Sequence, residues 1–117
     1  MTARTTIHAG VCGFRTTVVG QSDDVQNVAL SISSDCEKIR RLSADLPSID
    51  AYQEIGAGFD GVVLQAARRS LSGCCAGCVV PSGIFKTVQV AGGVALPAEV
   101  SIGMEKVEEA PAGRQVD

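Results

Sequence analysis

The sequence predicts an α+β domain in which an antiparallel sheet of three to four strands carries about three helices on one face, in the order β-β-β-α-α-α-β. Two changes of pattern along the chain predict this class. Apolar residues alternate with polar ones in the first third, and they recur at helical spacing from residue 39 to residue 91. Alternation returns over residues 100–104, which predicts a closing strand. The length of 117 residues suits a single domain, which we place at residues 1–107.

Three strands are predicted before residue 35, each from its own apolar or β-branched pattern. The first strand carries Ile7, Ala9 and Val11 on one face. The second is the β-branched run over residues 15–19, and a polar turn over residues 20–24 follows it. The third strand carries Val28, Leu30 and Ile32 on one face. Strands joined by such short turns pair as antiparallel neighbours.

Helical signals occupy the middle of the chain. The first helix opens at the capping box Ser34-x-x-Glu37, in which each side chain binds a free backbone N–H of the other residue. A short helical stretch over residues 49–55 precedes a second helix over residues 59–71. The third helix opens at Pro81 and stops at a glycine pair. Residues 108–117, which contain Pro, Gly and Ala, are predicted to form a flexible tail.

A glycine pattern, Gly56-x-Gly58-x-x-Gly61, has the spacing of the dinucleotide-binding motif. In that motif the glycines follow a strand and open a helix, so that the helix N-terminus can bind a pyrophosphate. Here they follow a helical stretch instead. We therefore interpret the three glycines as a connector that leads into the second helix.

Composition and charge narrow the classes of partner. The formal net charge is −3, and the chain has no Trp, one Tyr and three Phe, so it has neither the net positive charge nor the aromatic platforms that favour nucleic-acid binding. No apolar run reaches the ~20 residues of a membrane span. The N-terminus also lacks the apolar core of a signal peptide. We expect a cytoplasmic protein that binds neither nucleic acid nor membranes, and the sequence leaves its oligomeric state open.

Five cysteines carry the clearest chemical signal, and they lie where predicted elements begin or end: Cys12, Cys36, Cys74, Cys75 and Cys78. An odd number argues against a disulfide framework, and clustered cysteines in a reducing compartment indicate metal or redox chemistry. A Cys-x-x-Cys pair with two remote cysteines is the usual inventory of a zinc or iron–sulfur site. We predict ligation by Cys12, Cys36, Cys78 and either Cys75 or Cys74. Cys36, in the first turn of the predicted helix, would gain from the helix dipole.

The order of these cysteines resembles that of the NifU-like iron–sulfur cluster assembly scaffolds. Cys12-Gly13 corresponds to the first ligand of that family, Cys36 to the second and Cys78 to the third, with separations of 24 and 42 residues. The resemblance implies an α+β fold, a bound cluster and other iron–sulfur proteins as partners. Phe14 stands where the scaffolds have an acidic residue, and Gly77 stands where they have a histidine. The chain is also similar to small cysteine-containing proteins of anaerobic prokaryotes, which implies no function.

Three functions are compatible with these residues. The first is a metal-binding protein, rather than an enzyme, that stores, transfers or senses an iron–sulfur cluster or zinc. The second is a thiol redox protein that uses Cys75 and Cys78, with Cys36 as a thiolate activated by its helix, and that acts on a redox partner. The third is a domain held together by structural zinc whose task is to bind another protein.

Overall fold

The alternating first third of the chain folds into three neighbouring strands. The computed structural model describes residues 1–46 and 48–108. It contains β1 (Thr2–His8), β2 (Arg15–Gln21) and β3 (Asn27–Ser34), each antiparallel to the next. A three-residue strand, β4 (Ser48–Asp50), pairs antiparallel with β3 and gives a four-stranded sheet of order β1-β2-β3-β4. The predicted α+β class with an antiparallel sheet is confirmed.

Four helices follow or interrupt the sheet, one more than the sequence predicts. They are α1 (Glu37–Ser43), α2 (Ala51–Ala57), α3 (Val62–Ser70) and α4 (Val80–Ala91), with 3₁₀ turns at Gly58–Asp60 and Gly73–Gly77. The additional helix is α2, which lies where the sequence indicates only a short helical stretch. The predicted tail over residues 108–117 lies outside the described residues from position 109 onward, as does Pro47.

The core forms where α4 covers β1 and β2. Ile84, Val88 and Ala91 of α4 are fully buried against the sheet. Gly20 lets the helix approach, because a Cβ there would lie 3.1–3.3 Å from side chains of Val28, Thr87 and Ala91. Burial of each large aliphatic side chain stabilises the fold by about 1.5–3 kcal/mol, so this contact is a main source of stability.

Two strand predictions need correction. β1 ends at His8, so Ala9 and Val11 lie in the hairpin loop, where Val11 is fully exposed. Gly10 and Gly13 turn this loop at positive φ, and the Gly13 N–H binds the Gly10 carbonyl at 2.8 Å. The glycines therefore end the strand before the apolar alternation does.

The predicted closing strand over residues 100–104 is wrong. Val100, Ile102 and Met104 are 60%, 65% and 90% exposed, and residues 95–107 form neither helix nor strand. Alternation states which side chains would share a face, but a strand also needs a neighbour for its backbone. The fourth strand of the sheet is supplied instead by Ser48–Asp50, beside β3.

One stretch within the described residues, Gly73–Ala91, is long and apolar enough to cross a membrane, with a mean hydropathy of 1.3. It consists of a 3₁₀ turn and α4, whose inner face packs on the sheet. The core helix of a domain meets the same criterion of length and composition. The absence of a membrane span therefore stays a prediction.

Candidate functional site

Cysteines from three separate connections come to one end of the sheet. The register pairs His8 with Arg15, so the β1–β2 loop that carries Cys12 projects from this end. β3 reaches the same end, where Ser34 pairs with Thr16 two residues before Cys36. The start of α4 lies over the end of β1, where Gly83 packs against Ile7. Cys78 and the turn that carries Cys75 therefore arrive there too.

Cys78 is the cysteine whose surroundings are most fully defined. It is half-buried, and its sulfur accepts a hydrogen bond from the backbone N–H of Val80, the first residue of α4. Burial raises the pKa of the Cys78 thiol, and the charges of Cys12, Cys36 and Cys75 raise this pKa further, whereas the Val80 N–H lowers it. Charge effects of this kind require proximity, so the other three sulfurs lie within electrostatic range of Cys78.

Cys75 is linked to α1 by a hydrogen bond from a lysine side chain. The Lys38 ammonium donates to the Cys75 sulfur at 3.3 Å and joins α1 to the turn Gly73–Gly77. Within the turn, the Cys78 N–H donates to the Cys75 carbonyl at 3.1 Å and holds the Cys-x-x-Cys segment in a tight loop. Lys38 was not among the predicted site residues, because a contact over 37 positions leaves no local signal.

Cys36 is placed differently from its prediction. The capping box does not form, because the Ser34 hydroxyl contacts the Thr16 hydroxyl at 2.8 Å and accepts the Cys36 N–H at 3.1 Å. Glu37 becomes the first residue of α1 and faces Arg41 at 3.7 Å. Cys36 is therefore the N-cap of a seven-residue helix rather than part of its first turn. β3 explains the difference, since it keeps Ser34 in the sheet.

Cys12 and Cys74 are both exposed, whereas Cys75 is half-buried and packs against the core. Of the two alternatives for the fourth ligand, Cys75 thus faces the group more closely. His8 lies on the solvent side of β1, since Ile7 beside it points into the core. Among residues 1–46 and 48–108, no three His, Cys, Asp or Glu side chains are close enough to hold a metal ion as they stand.

The glycine motif does not open an anion site. The Glu54 carboxylate, only 2% exposed, accepts the backbone N–H groups of Val62 at 2.9 Å and Val63 at 2.8 Å. These N–H groups are the ones that would bind a phosphate at the start of α3. Gly61 makes room for Glu54, because a Cβ there would lie 2.6 Å from a carboxylate oxygen. The Glu54 carboxylate therefore occupies the position that a bound phosphate would take in a dinucleotide-binding motif. This agrees with the interpretation of the three glycines as a connector that leads into α3.

The pH profile of Cys78 alkylation is expected to show its raised pKa. Only the thiolate reacts with iodoacetamide, so a raised pKa in the fold moves the rise of the rate to higher pH. In metal-free protein, labelling followed by mass spectrometry should show that rise at higher pH than for Cys78 in the urea-unfolded chain. Comparison of profiles removes the effect of steric access on the absolute rate. Coincident profiles would contradict the environment described for Cys78.

Comparisons with known proteins give a family and no assigned activity. No curated protein and no solved structure matches the chain. The sequence profile of the family of unknown function DUF6951 matches residues 3–104, a span that includes all five cysteines. The chain therefore belongs to the family of unknown function DUF6951.

Proposed function

We propose that this protein binds zinc or an iron–sulfur cluster through the thiolates of Cys12, Cys36, Cys75 and Cys78. The observation that carries the proposal is the convergence of these residues, which come from three separate connections, at one end of the sheet. Four cysteine sulfurs are a complete ligand set for tetrahedral zinc and for the common iron–sulfur clusters. A core that needed only small apolar residues would not require them to meet.

The surroundings of the sulfurs fit a charged thiolate site. Four thiolates around a divalent ion carry an excess of negative charge, and the Lys38 ammonium beside Cys75 offsets part of it. The Val80 N–H supplies a hydrogen bond to the Cys78 sulfur, as outer groups commonly do for metal ligands. Cys36, Cys75 and Cys78 pack against the hydrophobic core, which limits the access of water.

The loop that carries Cys12 is the part that would move when the ion binds. It lies outside the ladder of β1 and β2, and its glycines at positions 10 and 13 adopt positive φ. Cys12 is exposed whereas Cys36, Cys75 and Cys78 are partly buried, so Cys12 is the ligand that has to approach the other three. Closure of this loop over Cys78 leaves the paired backbone of the sheet unchanged.

The same residues bear on what the protein does with its ion or cluster. NifU-like scaffolds, which this chain resembles in cysteine order, use an acidic residue near the first cysteine, where this chain has Phe14. An all-cysteine set favours retention over transfer, so we favour storage or sensing in the cytoplasm with other iron–sulfur proteins as partners. This is a binding role rather than a catalytic one.

Metal and acid-labile sulfide analysis of protein purified without oxygen tests the proposal. We expect one site per chain, filled either by zinc or by iron with sulfide and a broad visible absorption band. Zinc alone after aerobic purification would not identify the natural ion, because zinc readily occupies thiolate sites. A folded protein that stays metal-free after anaerobic reconstitution with zinc, and with iron and sulfide, would overturn the proposal.

A second candidate, thiol–disulfide exchange, rests on the contact between Lys38 and Cys75. The thiolate is the nucleophile of this exchange, and the Lys38 ammonium lies 3.3 Å from the Cys75 sulfur. The Cys75 thiolate would attack a partner disulfide and release one partner thiolate, and Cys78 would then displace the second as it closes the Cys75–Cys78 disulfide. Reversible formation of this disulfide in metal-free protein, followed by mass spectrometry, distinguishes this candidate from metal binding.

A further inference from the structure

The aromatic residues of this chain lie outside its core. The chain has one Tyr and three Phe, and the buried core within the described residues is entirely aliphatic. Phe59 is 80% exposed and Tyr52 is 55% exposed, although both are among the largest apolar side chains present. Exposed aromatic residues are enriched at the centres of protein interfaces, where they supply most of the binding energy.

Phe59 borders a groove on the outer face of the helices. The groove has a volume of about 290 Å³ and lies between the turn Gly58–Asp60, α3 and α4. Its walls, which we call the aromatic groove, include Phe59, Leu64, Phe85 and Lys86. The Arg68 guanidinium lies beside it and donates to the Phe59 carbonyl at 3.1 Å. The groove is therefore apolar at its centre and has cations at its margin.

The segment over residues 94–107, which we call the C-terminal arm, carries the complementary properties. Its exposed apolar side chains are Val94, Leu96, Val100, Ile102, Met104 and Val107. Glu99 and Glu105 flank the stretch that contains Ile102, and with Lys106 the arm carries a net charge of −1 from these two glutamates and one lysine. The match to the family extends to residue 104, so most of the arm belongs to the unit that the family shares. An apolar, acid-flanked segment of this kind suits an apolar groove with basic margins.

The arm of the same chain leaves α4 beside Val25 and Met1 and does not fill this groove. Gly93 packs against Val25 and lies close to Met1, both on the sheet side of α4. Lys86 lies on the opposite side of that helix from Ile84 and its buried neighbours, and Phe85 lies on the flank, partly buried against the core. Ile102 and Met104 stay 65% and 90% exposed, so the arm of the same chain leaves the groove free for a second copy.

We propose that the C-terminal arm of one copy docks in the aromatic groove of a second copy, and that reciprocal exchange forms a symmetric dimer. Exchange of identical segments closes with two-fold symmetry and limits the assembly to two chains. Ile102 and Met104 provide apolar contacts to Phe59 and Phe85, and the glutamates of the arm pair with Lys86 and Arg68. This inference does not depend on the proposed metal site.

Sedimentation velocity of the full chain in reducing buffer, over a range of concentrations, tests the dimer. The reductant excludes dimers linked through exposed cysteines. We expect Phe59→Ser, and separately the double change Ile102→Asp with Met104→Asp, to raise the dimer dissociation constant at least about tenfold. Far-UV circular dichroism should stay unchanged, because these side chains are exposed. A chain with Cys78→Ser should dimerise like the unaltered protein, which separates this test from metal binding.

Mixing the variants makes the test specific. A Phe59→Ser chain keeps a functional arm, and the Ile102→Asp, Met104→Asp chain keeps a functional groove, so the mixture should form heterodimers through one exchanged arm. Lys86→Glu should weaken the dimer, and Glu99→Lys with Glu105→Lys should restore it in that background. A protein that is monomeric at every concentration, or a dimer that survives both sets of changes, would overturn the proposal.

Discussion

Replacement of Cys78 by serine is expected to reduce the metal content of the purified protein to background. Cys78 is a central ligand of the proposed set, because it adjoins the start of α4, is partly buried against the core and follows Cys75 in the same tight loop. A serine hydroxyl stays protonated and cannot replace the thiolate as a zinc or iron ligand. We expect affinity to fall by at least about a hundredfold, as judged by elemental analysis and by competition with a chelator.

Cys74→Ser is the matched control, because both residues belong to the connection before α4 and Cys74 is exposed. The control variant should retain its metal. A Cys78 variant that binds metal normally would contradict the convergence of ligands on this residue. If Cys74→Ser lost its metal and Cys75→Ser kept it, Cys74 rather than Cys75 would be the fourth ligand. The sequence alone left both choices open.

The position of the cysteines at one end of the sheet follows from the order of elements. Antiparallel strands joined by short turns bring the end of β1, the start of β2 and the end of β3 to one edge. Cys12 and Cys36 follow these strand ends and therefore lie at the same edge of the sheet. The contact of Lys38 with Cys75 depends on how α1 packs, which no local pattern specifies. Only the structure shows that contact.

The fold shows the same division between local and non-local information. α4 could be predicted because Pro81 and the glycine pair after Ala91 bracket a helical pattern. β4 could not, because its three residues are too few to display alternation, and its strand pairing depends on β3. Residues 100–104 display the alternation and lack the neighbour, so the pattern predicted a strand that does not form.

Replacement of Glu54 by alanine is expected to cost about 2–3 kcal/mol of unfolding free energy, because it removes the acceptor of two backbone N–H groups at the start of α3. Gly61, the N-cap of α3, offers no side chain in its place. Urea unfolding should show a lower midpoint with an unchanged slope. Glu54→Gln keeps one acceptor oxygen and should cost less. Glu37→Ala is the control, since Glu37 is exposed, and it should change stability by less than about 0.5 kcal/mol.

The Glu54→Ala variant also tests why the glycine motif of this chain does not bind an anion. If the carboxylate takes the place of a phosphate, its removal leaves the N-terminus of α3 open to an anion. Added phosphate should then restore more stability to Glu54→Ala than to the unaltered protein or to Glu37→Ala. These references subtract the general stabilisation that phosphate gives folded proteins. Equal gains in all three chains would show that the cap contributes only its hydrogen bonds, and an unaltered urea midpoint would contradict the cap itself.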